Sequence, residues 1–232
     1  MIIRGLSGFG DGIYLYPIVR HYAKKTEVTV SSNFPSIYKR LGVKVIPFDR
    51  RIKVDLDCSY IAGKEDQTTT QWQDYIQGCE EGISYSADKT DFPDTDILKK
   101  HGIEGDYTVV RDYAMPMRSI FAKELLPNFI HYVSSLVGEN VVLIGEKETT
   151  IKKVPCDYDL RDATSIDDIF TLVRYAKRVH TYSGFLIPVA EMLDKRCDVI
   201  MSQQGLNCKN TFISSITPKK LEEKSTTKCY IV

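Results

Sequence analysis

Apolar and polar positions switch between two periods along the chain, and the switches mark its elements. Ile2 to Leu6 is a short apolar run ending in Ser7-Gly8-Phe9-Gly10-Asp11-Gly12. From Ile13 to Lys25 the apolar residues Ile13, Leu15, Ile18, Val19, Tyr22 and Ala23 recur at helical spacing. This predicts a strand, a glycine-rich turn and a helix. Glu27 to Ser32 is alternating and β-branched, hence a strand. Pro35 to Leu41 predicts a short helix closed by Gly42, and the runs 43–48 and 53–62 predict two further strands. Such β-α-β-α-β alternation implies a parallel sheet with right-handed crossovers.

Residues 65–104 are less legible. Gln71 to Cys79 reads as a helix, Ser84 to Asp96 as polar loop, and Gly102 to Gly105 as a boundary. A second α/β series then begins. Tyr107 to Arg111 and Asn140 to Ile144 predict strands, with a helix from Arg118 to Leu136 between them, distorted at Pro127. Tyr158 to Leu160 reads as a short strand, and Ser165 to Ala176 as an amphipathic helix whose acidic first turn suits the helix dipole. Arg178 to Thr181 is a strand, Phe185 to Leu193 a helix, and Cys197 to Met201 the last core strand. The predicted fold class is α/β, with two Rossmann-like α/β/α domains and mostly parallel sheets. Residues 1–104 form the first domain and 105–205 the second. The polar tail 206–232 fits either packing back as a strand and short helix, on the first domain, or partial mobility.

Composition narrows the class without naming a partner. Lys plus Arg and Asp plus Glu balance at 31 each in 232 residues, so no global field draws the chain to nucleic acid or to an anionic membrane. Six cysteines are scattered with no Cys-x-x-Cys pair and no zinc-ligand spacing, which reads as reduced residues of a cytoplasmic protein. There is no signal-peptide pattern and no apolar run approaching the roughly 20 residues that span a bilayer.

Candidate chemistry gathers at the strand-to-helix turns. The turn Ser7, Gly8, Gly10 and Gly12 leaves backbone N–H groups free for an anion or a close ligand. It is not a Walker loop, and Ile13 stands where a dinucleotide fingerprint needs its third glycine. Asp11, within it, would face the crevice at the carboxyl end of the first strand, placed to take a proton from a hydroxyl. In the second half, Tyr182, Ser183, Gly184 and Phe185 open a helix whose amides suit a diphosphate. Gly145 and Glu146 end a buried strand, where the carboxylate can meet a ribose or base. Arg111 and Arg118 can neutralise charge on a leaving diphosphate, and Trp72 can stack on an acceptor. Each has a plainer structural reading as turn, cap, surface ion pair or core ring.

In order, these features resemble the heptosyltransferase-like GT-B glycosyltransferases, the family of the ADP-heptose:lipopolysaccharide transferases. Gly10-Asp11-Gly12-Ile13-Tyr14-Leu15-Tyr16-Pro17 has the shape of that family's first turn, a Gly-Asp followed by an apolar run and Pro. Val141 to Gly145, Leu160 to Ile166 and Tyr182-Ser183-Gly184 follow its second-domain series. The resemblance implies Asp11 as catalytic base and Ser183, Gly184 and Phe185 as the cradle of a nucleotide-sugar donor. Two departures stand out: Tyr182 replaces the family's acid, and Ile187 stands where a His usually follows. The resemblance also implies a shortened first domain.

The expected activity is direct transfer of a sugar from a nucleotide-diphosphate sugar to an acceptor hydroxyl, with no cofactor and no metal. The acceptor is a glycan or, for a phage-encoded enzyme, a hydroxymethylated base in DNA. The alternatives are a nucleotide-cofactor oxidoreductase and a non-catalytic binding protein on a degenerate GT-B scaffold. The oligomeric state is left open.

Overall fold

The computed structural model describes residues 1–59, 70–111, 131–132, 134–136, 139–145, 155–181, 184–201, 224 and 226–231. Four short strands, β1 (Ile2–Arg4), β2 (Thr29–Ser31), β3 (Lys44–Ile46) and β4 (Leu56–Asp57), form a sheet in the order β3-β2-β1-β4. Every ladder in it is parallel. Strands of two or three residues pair weakly, so the helix packed on them carries much of the burial. That helix, α1 (Phe9–Ala23), is buried on nearly all sides from Gly12 to Val19, as expected of a helix that is apolar all round.

α1 begins earlier than the helical spacing predicts. Gly10, Asp11 and Gly12 lie inside it, and the turn is confined to 5–8. Each glycine costs about 1 kcal/mol of helix propensity against Ala, and packing overrides that cost. Against α2 (Pro35–Tyr38), Tyr38 Oη donates to the Gly12 carbonyl at 2.9 Å. On another side α3 (Gln71–Tyr75) starts at Thr70, whose hydroxyl accepts from Gln73 N–H while the Gln73 side chain accepts from Thr70 N–H.

The second sheet has six parallel strands in the order β10-β9-β8-β5-β6-β7: β5 (Tyr107–Arg111), β6 (Asn140–Ile144), β7 (Tyr158–Asp159), β8 (Arg178–Thr181), β9 (Cys197–Met201) and β10 (Thr227–Ile231). The chain runs outward from β5 to one edge, then returns to β8 and runs to the other. Its topological switch point therefore lies between β5 and β8, and that of the first sheet between β1 and β4. Helices α4 (Ile97–His101), α5 (Ile166–Tyr175) and α6 (Leu186–Met192) accompany this half. β10 shows that the described end of the tail extends the second sheet instead of packing back on the first domain.

The two halves share one continuous apolar core. Phe92 stacks on Phe170 of α5 at 3.7 Å and lies 4.7 Å from the ring of Tyr16 in α1. α4, which precedes the expected boundary, packs against α5 of the second half. Lys39 and Arg40 both pair with Asp167 at the start of α5, and Tyr16 and Arg20 both bind Asp91. One close approach between the halves is at Gly10: a Cβ there would stand 3.1 Å from the Phe185 Cα, so any side chain would push the start of α6 back by a few tenths of an ångström.

Candidate functional site

Open α/β sheets bind ligands outside the carboxyl ends of their strands, at the switch point. In the first sheet that place is reached by β1 and then by the first turn of α1, which carries Asp11. Gly8 is the N-cap and Asp11 the N3 residue. The Gly8 N–H donates to Asp11 Oδ2 at 2.9 Å, and Tyr75 Oη donates to Asp11 Oδ1 at 3.0 Å. Burial pushes the Asp11 carboxyl above the ordinary carboxylate range, and the bonds from Tyr75 and Gly8 only partly oppose it. The result is a partly exposed carboxylate whose proton affinity lies above that of an ordinary carboxylate, a suitable property for a base. Ser7 is exposed just before the helix, while Gly10 and Gly12 serve packing.

In the second sheet the switch point is flanked by Arg111 at the end of β5 and Thr181 at the end of β8. Arg111 is 6% exposed, and its guanidinium carbon lies 4.4 Å from the Phe185 ring centroid, a cation–π contact. Gly145, just past β6, has φ +124°, and Arg111 Cγ lies 3.4 Å from where a Cβ would stand. A side chain there would be strained and would crowd the arginine. Gly184 is partly exposed, and α6 starts after it with Phe185 at the N-cap. Ile187, within α6, is buried in the core. Tyr182, Ser183, Glu146 and Arg118 lie outside the described residues.

Phe185 joins the two places. Its backbone meets Gly10, its ring meets Phe9 edge-on at 5.1 Å, and its face carries Arg111. Phe9 in turn meets Phe34 edge-on at 5.1 Å. The structure thus brings both the Gly10 turn of α1 and Arg111 into contact with Phe185. Trp72 is not part of this opening. It is 5% exposed and stacked on Tyr85 at 4.4 Å, so it serves the core and offers no face to an acceptor. His180 is likewise a core residue; burial pushes its pKa down to about 4, and Nδ1 lies 2.7 Å from Tyr132 Oη.

Spacing alone could not single out Tyr75, Phe9 or Phe34. Tyr75 is 64 residues from its partner; its only local signal is the Thr70–Gln73 cap that starts its helix. Among the described residues no group of three or more His, Cys, Asp or Glu is placed to hold a metal ion, and no helix is long and apolar enough to cross a membrane.

No family model and no curated protein matches the sequence. Solved structures do match the fold. The glycosyltransferase family 9 protein from Veillonella parvula DSM 2008 has a TM-score of 0.58 at 8% identity, over 100% of this chain and 85% of that one. The ADP-heptose lps heptosyltransferase II of E. coli also has a TM-score of 0.58, at 13% identity, over 100% of this chain and 89% of that one. The iron-containing dodecameric glycosyltransferase TibC of enterotoxigenic E. coli H10407 has a TM-score of 0.53 at 13% identity, over 86% of this chain. The match spans 59% of TibC's own length. The chain therefore has the two-sheet, GT-B-like fold of these glycosyltransferases.

Proposed function

We propose that the protein transfers a sugar from a nucleotide-diphosphate sugar to an acceptor hydroxyl, with Asp11 as general base. The observation that carries this reading is the Asp11 carboxylate itself, held above its ordinary pKa at the carboxyl end of β1 and beside the seam between the halves. A base of raised proton affinity accepts a hydroxyl proton more readily. The acceptor O–H bond breaks and its proton passes to an Asp11 oxygen. The acceptor oxygen bonds to the anomeric carbon, the bond from that carbon to the diphosphate breaks, and its electron pair leaves with the nucleoside diphosphate. Arg111, with Arg118, offsets the charge that develops on the leaving group. This scheme needs no metal and no cofactor.

ADP-sugars head the list of donors, because the heptosyltransferase of like fold carries that donor in its name. A glycan hydroxyl fits the acceptor better than a base in phage DNA. Duplex DNA calls for a row of cations along the cleft, and basic and acidic residues balance at 31 each with no excess positive charge to supply it. The test is release of nucleotide from a panel of ADP-, UDP-, GDP- and CMP-sugars, each with and without EDTA. Turnover of at least one diphosphate donor, unchanged by EDTA and reduced by about 10²–10⁴-fold in Asp11→Asn, is expected. Full activity in Asp11→Asn, or a strict metal requirement, would sink the assignment.

A further inference from the structure

The Asp11 carboxylate has two hydrogen-bonding partners, and capping the helix accounts for only one of them. Oδ2 takes up the Gly8 N–H, one of the donors a helix start leaves without a carbonyl. Oδ1 is bound by Tyr75, whose ring is wholly buried. That ring is held from several directions. It stacks on Tyr14 at 5.4 Å, Tyr14 stacks on Tyr85 at 5.8 Å, and Tyr85 stacks on Trp72 at 4.4 Å. Tyr85 Oη is itself fixed by the buried Glu191 at 3.0 Å, and Cys79 Sγ donates to the Tyr75 carbonyl at 3.6 Å. With its ring clamped and its helix capped, Tyr75 presents its hydroxyl in one direction only. A carboxylate bonded through both oxygens cannot rotate, so its remaining lone pairs keep a fixed aim.

We propose that Tyr75 is the positioning residue of the base, locking the Asp11 carboxylate in rotation and setting the pH at which it becomes ionised. The proposal rests on the reading of Asp11 as base. A phenol donates to the ionised carboxylate more strongly than to the neutral acid, so it favours ionisation against the burial that opposes it. The other groups acting on Asp11 are the Gly8 N–H of its own helix and Tyr38 of α2, whose hydroxyl is committed to the Gly12 carbonyl. The aromatic stack from Trp72 to Tyr75 thereby gains a purpose beyond filling the core. It transmits rigidity to the one carboxylate that chemistry needs.

The test uses full-length protein labelled with ¹³Cγ-aspartate, in which the Asp11 resonance is assigned by its loss in Asp11→Asn. Parent, Tyr75→Phe and a protein carrying 3-fluorotyrosine at position 75 are titrated, and each is assayed across pH for nucleotide release from ADP-glucose, UDP-glucose and GDP-mannose. Tyr75→Phe removes one oxygen and keeps the stacked ring. It should raise the Asp11 pKa by about one unit, tenfold in proton affinity. The fluorinated phenol, a stronger donor, should lower it. The acidic limb of kcat should follow both shifts, while KM for the donor stays within about twofold. An Asp11 pKa unchanged in a folded Tyr75→Phe protein overturns the proposal outright. If the pKa moves but turnover is absent or its acidic limb stays put, Asp11 is not the base. The positioning role then falls with that reading, and the titration tells the two failures apart.

Discussion

Two aspartates occupy the same helical position in the two halves and behave oppositely. Asp11 is the N3 residue of α1, and Asp168 is the N3 residue of α5. Each accepts the N–H of its N-cap residue, and each accepts a hydroxyl from far along the chain, Tyr75 for Asp11 and Thr95 for Asp168. Yet Asp11 is pushed above the ordinary carboxylate range and Asp168 is held below it. At both sites burial is the leading influence and raises the pKa. At Asp168 it is outweighed by the Thr95 hydroxyl, by Ser165, which donates through both backbone and side chain, and by the charge of Lys100. At Asp11 the N-cap is a glycine with no hydroxyl to give, and Phe185 presses on the same turn. One carboxylate is ionised in the service of stability. The other is held with its pKa raised, against the preference of a helix start for an ionised carboxylate.

Substitutions that exchange or erase this difference sharpen it. The largest effect expected is on turnover: Asp168→Asn should leave nucleotide release nearly intact, against the loss of about 10²–10⁴-fold expected for Asp11→Asn. Next comes the seam. Gly10→Val should cost about 1–3 kcal/mol in urea unfolding through overpacking against Phe185. By opening the turn to water it should also bring the Asp11 pKa, read by NMR, back toward the ordinary range. Asp168→Ala should cost about 1 kcal/mol in the same unfolding assay, the value of a capping bond. The smallest effect is expected for Arg40→Gln. Lys39 still pairs with the largely buried Asp167, so the loss should stay within about 1 kcal/mol.

The alternation of strand and helix was legible along most of the described residues, because apolar periodicity survives without knowledge of packing; the helix expected from Arg118 to Leu136 lies mainly outside them. The buried runs of β5 and β6 and the Ser165 cap of α5 are local signals of this kind. The start of α1 was not legible. Three glycines within five residues read as a turn when taken alone; contact with Phe185 and Tyr38 accompanies Gly10 and Gly12 inside the helix, while Gly8 stays outside it as the N-cap. The tail's strand was one of two options in the sequence, but its partner was not legible, since the pairing of β10 with β9 joins residues about thirty apart across a polar stretch. Asp11 was visible from its place after the first strand. Its partner Tyr75 was not, because a hydrogen bond across 64 residues leaves no periodic trace. Trp72, chosen as an aromatic that could face an acceptor, turned inward because three tyrosines complete its stack.

The comparison of the two aspartates reduces to one measurement, the melting temperature of Asp11→Asn minus that of the parent, followed across pH alongside turnover. A carboxyl whose folded pKa is raised binds more protons folded than unfolded, so its stability contribution falls as pH rises from the ordinary carboxylate range to the raised value. Asn keeps the shape, accepting from Gly8 and donating to the Tyr75 oxygen, and never ionises. The two proteins should therefore melt together in acid, and the variant should melt progressively higher as pH rises, while nucleotide release is lost. A variant that melts below the parent at neutral pH, or one that retains turnover, would make Asp11 a helix cap like Asp168 and contradict its role as the base.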